Sequence, residues 1–186
     1  MIVETTAAAT VGGVPVRVDE VDAREDRLRT SRLASALPRP GTSEGRQLRR
    51  WLTQLLVTER VAGVEAAARG LTADDAPSED DLLPDMTTRL EIGSVAASVL
   101  ADPLARALFV TVTAAVVITD AQVHDYRERN PGRFGSDSEI AEHLRGAAKR
   151  RAFRLWLDAR CAALVELSPG YEHPGDPRQP DNTHRH

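Results

Sequence analysis

The residues most able to do chemistry lie at the end of the chain, in the pattern His173-x2-Asp176-x4-Asp181-x2-His184-x-His186. Three of the five histidines fall there. In an extended segment His184 and His186 point to the same side, because side chains alternate along a strand. With His173 or a folded-back carboxylate they make a site of three or four ligands. Neutral imidazole and carboxylate oxygen suit one transition metal ion, Zn, Fe, Ni or Cu, and the donor set does not choose among them. Pro174, Pro177 and Pro180 restrict the backbone and lower the entropy lost on ordering. Two other readings fit the same residues: a tail packed on the scaffold with its polar groups bonded to arginines, and a solvated terminus.

Other reactive groups are scattered. His124 and Tyr126 share one expected helix and His143 sits on the next, where a solvated or structurally satisfied histidine is the ordinary outcome. Cys161 lies among alanines with no base near it in sequence, as a buried, inert thiol would. Arg145, Lys149, Arg150, Arg151, Arg154 and Arg160 give the last long helix a basic face. That face is either solvated or a docking surface for an acidic partner, such as a carrier protein or the chain's own residues 72–85. No Walker loop, GxGxxG, GxSxG or CxxC pair occurs, so nucleotide-binding and acyl-transfer chemistry lack their usual anchors.

The elements that position these groups read as mostly α. Thr10-Val11, Gly12-Gly13 and Val14–Val18 predict a short β-hairpin, since both glycines tolerate positive φ, and Pro15 keeps its strand at an edge. Asp19 is placed to cap a helix running to about Leu37. Leu48, Leu52, Leu55 and Leu56 share one face of a helix over 47–69, broadened by Trp51 and stopped at Gly70. Residues 72–85 carry six acids and no basic group, and predict a solvated loop. One helix is expected over 88–100. Another starts at Asp102-Pro103 and leads into an extended piece at 116–118. Thr119-Asp-Ala-Gln122 and Ser136-Asp-Ser-Glu139 are capping boxes that open two further helices. The second runs to about Leu164, with Ile140, Leu144, Ala148, Ala152, Leu155, Trp156, Ala159 and Ala163 as its expected buried stripe.

Composition sets bounds. A chain of 186 residues suits one domain, and 41% hydrophobic residues suffice for a core. Only 4% are aromatic, so that core is built from Ala, Val and Leu. A net charge of −4 lacks the basic footprint of a nucleic-acid partner. The lone Cys161 rules out an internal disulfide framework and fits the cytoplasm. The N-terminus has no basic or apolar leader pattern, and the longest apolar run, 105–118, is too short and interrupted for a membrane span.

Three segments together resemble the SurA-like N-terminal region of parvulin-type prolyl-isomerase chaperones. They are Thr10-Val-Gly-Gly-Val-Pro-Val with its helix; Gln47-Leu-Arg-Arg-Trp-Leu-Thr-Gln-Leu-Leu-Val with Ala68-Arg-Gly-Leu71; and Val117-Ile-Thr-Asp-Ala-Gln-Val-His-Asp-Tyr126 with Asn130-Pro-Gly-Arg-Phe134. The resemblance spans most of 10–165. It implies a helical bundle that binds polypeptide, with a domain over 10–167 and an irregular Pro/His-rich tail over 168–186. The family usually sets a parvulin domain between the Asn-Pro turn and the closing helix. Here only residues 135–138 separate Phe134 from Glu139, so the resemblance implies the scaffold without the isomerase. Arg127 stands where the family often has a second aromatic. The tail itself resembles the ending of small actinobacterial proteins found near aromatic polyketide pathways.

These readings lead to a non-catalytic, chaperone-like or accessory protein. It would bind a polypeptide or pathway protein in a groove lined by Leu48, Trp51, Leu52, Leu55, Leu144 and Trp156. The alternative is a metal-dependent enzyme acting on a small, polyketide-like molecule through the tail. A third is a structural subunit whose tail locks a homodimer.

Overall fold

Gly12 and Gly13, at φ of 56° and 80°, close a two-residue turn between β1 (Ala7–Val11) and β2 (Val14–Arg17), as primed hairpin turns require. The computed structural model describes residues 6–74 and 76–182. The hairpin register pairs Val11 with Val14 and Ala9 with Val16, with an irregularity between Ala7 and Ala9. A third strand, β3 (Val165–Leu167), pairs antiparallel with β1, so the order is β2-β1-β3 and Pro15 lies on an edge strand. Ala8, Ala9, Val11 and Val16 are buried.

The protein is mostly α with this small sheet. After α1 (Val18–Arg29) and a 3-10 turn at Ala34–Ala36 come two long helices, α2 (Ser43–Ala68) and α8 (Asp137–Leu164). Between them lie α3 (Glu79–Leu82), α4 (Met86–Ile92), α5 (Ser94–Val99), α6 (Pro103–Val112) and α7 (Asp120–Arg129). The backbone groups into two compact units, one of residues 1–61 with 160–186 and the other of 62–159. The core of the first holds Val16, Val21, Leu52, Leu55 and Val57; that of the second holds Leu83, Ile92, Leu100, Leu108, Phe109, Ile140, Phe153 and Leu157. No helix among the described residues is long and apolar enough to cross a membrane.

Several boundaries follow from local chemistry. The Thr119 hydroxyl accepts from the Gln122 N–H and the Gln122 side chain accepts from the Thr119 N–H, opening α7 as its capping box predicts. Ser136 and Glu139 do the same before α8. Pro103 occupies the first turn of α6 behind the Asp102 cap. At the end of α2, Gly70 takes φ 64° and the Leu71 N–H reaches the Ala66 carbonyl, a Schellman closure.

Other expectations are corrected. The first helix starts at Val18, with Arg17 rather than Asp19 at the N-cap position and the Glu20 carboxylate accepting from the Arg17 N–H. It ends at Arg29 rather than near Leu37, because the Thr30 and Ser31 hydroxyls take the carbonyls of its last turn. The helix expected over 88–100 is two helices, separated by Gly93 at φ 91° and ψ 151°. The acidic stretch is not wholly loop: Ser78 and Asp81 cap α3 reciprocally, and Asp85 caps α4. On α8 the buried residues are Ile140, Arg150, Phe153 and Leu157, while Leu155 is 58% exposed. Phe109 meets Phe153 at a ring distance of 5.0 Å, which turns that register of α8 inward.

Candidate functional site

The C-terminal carboxylates are held by arginine. Arg46 donates through Nε to both Asp181 oxygens at 3.0 Å and through Nη2 to Oδ1 at 2.5 Å. Arg50 donates through Nη1 to Asp181 Oδ2 at 2.6 Å. Both arginines project from α2. The Arg50 side chain is 2% exposed and that of Asp181 is 6% exposed, so this is a buried ion pair. Gln47 donates to the Asp181 carbonyl, Gln179 accepts from the Asp181 N–H, and Glu172 pairs with Arg50 at 3.4 Å. Hydrogen bonds from Arg46 and Arg50 hold the Asp181 carboxyl down at about 2. Both its oxygens are engaged, so a metal would first have to displace two guanidinium groups.

The other proposed ligands are separately occupied. Asp176 pairs with Arg178, and hydrogen bonds from that residue hold its carboxyl low. His173 Nδ1 accepts from the Gly175 N–H at 3.0 Å. His184 and His186 lie outside the described residues, and among the described residues no three His, Cys, Asp or Glu side chains gather around one point. In this segment Glu172 and Asp181 are bonded to arginines of α2.

The residues expected to line an apolar groove divide. Leu52 and Leu55 are buried in the core of the first unit and present no surface. Leu48 and Trp51 are half-buried, as are Leu144 and Trp156. Trp156 is already packed, stacked on Phe153 at 6.0 Å and faced by Arg69 at 5.4 Å. Cys161 is half-buried with its thiol 3.8 Å from the Thr58 hydroxyl.

An open cleft of about 710 Å³ lies in the second unit, within the range typical of ligand sites. Pro77, Leu82, Pro84 and Val110 supply its apolar part, with buried Phe109 behind them; Val110 is 45% exposed. One wall is α8, with His143, Arg145, Gly146, Lys149 and Arg150. Asp81, Asp85, Glu91, Glu142 and Arg133 complete the charged lining. Asp81 and Asp85 face it as helix caps. The Ser78 side chain and backbone hold the Asp81 carboxyl below its ordinary value, and the Thr88 N–H does the same for Asp85, with Arg150 adding to it. His143 packs between Tyr126 and Phe134 at ring distances of 5.5 and 5.1 Å.

Arg150 is the unusual member. It is buried, at 9% exposure, yet its contacts are long: Nη1 to the Leu82 carbonyl at 3.4 Å and Nη2 to Glu91 at 3.7 Å. Its Nε–H is buried with no acceptor among the described residues. Gly146, one turn earlier, makes room for it, since a Cβ there would stand 3.2 Å from Arg150 Nη1. The sequence marks Arg150 only as one of six basic residues on α8. Its burial follows from the register set by Phe153 and Leu157, which the alanine-rich pattern of that helix conceals.

A family of unknown function, DUF7158, matches residues 7–44. That stretch covers the hairpin, α1, the 3-10 turn and the first residues of α2, and it does not reach the cleft. No curated protein and no solved structure matches the chain.

Proposed function

We propose that this is a non-catalytic binding protein whose second-unit cleft takes a segment of another polypeptide. The observation that carries this is the cleft itself: about 710 Å³, open to solvent, with an apolar patch beside a charged helix wall. Apolar surface next to a few oriented polar groups is the usual composition of a recognition site. The resemblance of residues 10–165 to a peptide-binding chaperone region without its isomerase points the same way.

The titratable groups of the cleft suit binding better than catalysis. A general acid or base works best with a pKa near the operating pH. Asp81 and Asp85 are pushed the other way by their capping bonds. His143 is packed in an aromatic cluster, and among the described residues the cleft lining holds no serine or cysteine; its hydroxyls are those of Thr87 and Thr88, the latter engaged in the Asp85 cap. The Cys161 thiol lies in the other unit.

The test is fluorescence anisotropy of the full chain against labelled twelve-residue peptides that combine leucine with glutamate, glutamine or lysine. Saturable binding of at least one peptide, weakened by Val110→Glu at the exposed edge of the apolar patch, is the expected result. Absence of binding across the whole set contradicts the proposal.

A further inference from the structure

We infer that the cleft recognises a carboxylate, the side chain of a glutamate or aspartate flanked by apolar residues on the bound polypeptide, and that Arg150 is the residue that selects it. This rests on the reading of the cleft as a polypeptide site and adds the chemistry of its anchor.

The Arg150 guanidinium lines the cleft incompletely bonded. It carries five N–H donors in a fixed fork. Among the described residues one is buried without an acceptor, and the others meet a carbonyl at 3.4 Å and a carboxylate at 3.7 Å. A buried charge normally has close partners, because leaving it under-bonded costs free energy. The contrast with Arg50 is direct: Arg50, also buried, holds a carboxylate at 2.6 Å. Among the described residues no carboxylate is recorded closer to Arg150 than Glu91 at 3.7 Å, and Arg150 lines an open cleft.

The surrounding charges choose the kind of anion. Arg145 and Lys149, on the same wall, form no ion pair among the described residues. Arg133 stands over the Phe134 ring at 5.8 Å. Against these cations stand Asp81, Asp85, Glu91 and the exposed Glu142, so the lining is balanced rather than strongly positive. Asp85 and Glu91 both act on Arg150 electrostatically. A dianionic phosphate would be repelled by that pair. A single carboxylate fits, because a guanidinium binds it through two parallel N–H donors with one unit of charge. The apolar patch of Val110, Pro77 and Pro84 in the same cleft accounts for the apolar flanks.

The test uses the full chain and two labelled peptides that differ only in a central Glu or Gln between leucines, with fluorescence anisotropy as the readout. The Glu peptide should bind about ten- to hundredfold tighter than the Gln peptide, the size of one charge-assisted contact. With Arg150→Gln that preference should fall below about threefold, in the range of an uncharged contact. The peptide swap is made on the unmodified protein, so the inference remains testable if the variant misfolds. Equal binding of the two peptides overturns the inference and leaves the polypeptide site standing. Absence of binding by either overturns both. A preference retained in Arg150→Gln moves the anchor to another residue. Tighter binding of a phosphoserine peptide than of the Glu peptide contradicts the carboxylate. Competition by free 3-phenylpropionate at concentrations comparable to the peptide shows that the carboxylate's source is a small molecule.

Discussion

Two arginines carry most of what is unusual at the residue scale. Arg50 and Arg150 are both buried, but only Arg50 has a close carboxylate partner. Breaking a buried pair by removing one member leaves an uncompensated charge, at a cost of about 3–5 kcal/mol. Asp181→Ala should therefore destabilise the protein by about that amount in urea unfolding followed by circular dichroism. A loss below about 1 kcal/mol would mean the pair behaves like an exposed one. The pair also predicts a pH dependence. The Asp181 carboxyl sits at about 2 when folded against an ordinary 3.8, so its contribution is complete above about pH 4 and fades as the pH falls toward 2. Asp181→Asn should flatten the acid limb of the stability profile over that window. Neither arginine stood out in the sequence. The partner of Arg50 is 131 positions away, and no local pattern connects α2 to a carboxylate beside Pro180. Asp181 was visible as a chemically able group, but its type and spacing pointed first to a metal and only second to arginines.

Caps and stops govern the elements. The α7 and α8 starts were legible because a capping box is a four-residue signal, complete within the segment it organises. Thr119→Ala should cost about 1 kcal/mol, read as a lower melting temperature, and Thr119→Ser should largely restore it. The break at Gly93 was not legible, since one glycine inside an amphipathic run is often tolerated within a helix. Its φ of 91° with ψ of 151° is a conformation essentially reserved for glycine, although the space around it is open. Gly93→Ala should therefore destabilise by about 1–3 kcal/mol through backbone strain alone. Unchanged stability would show that α4 and α5 fuse into one helix without loss. The three-residue β3 was missed for a related reason: Val165-Glu166-Leu167 is too short to register against the helix before it, and only pairing with β1 defines it. The acidic stretch misled because its composition suggests solvation, while Asp81 and Asp85 are spent on helix starts that bring them to the cleft.

The whole molecule reads as mostly α with a small three-stranded sheet, and that class was legible from periodicity and turn residues. The candidate site was not. The cleft draws its lining from α3, α4, α6 and α8 and from the turn carrying Arg133, spread over residues 77–150, and no single window of sequence contains it. The central claim is that this cleft receives a polypeptide. Backbone amide spectra of isotope-labelled full-length protein, titrated with the leucine-flanked Glu peptide, test it most directly. Saturable shifts concentrated at Leu82, Val110, His143, Lys149 and Arg150 are predicted, with the same residues left unmoved by a lysine-substituted peptide. Binding that shifts only residues 43–61 and 168–182, or no saturable shift at all, would contradict the claim.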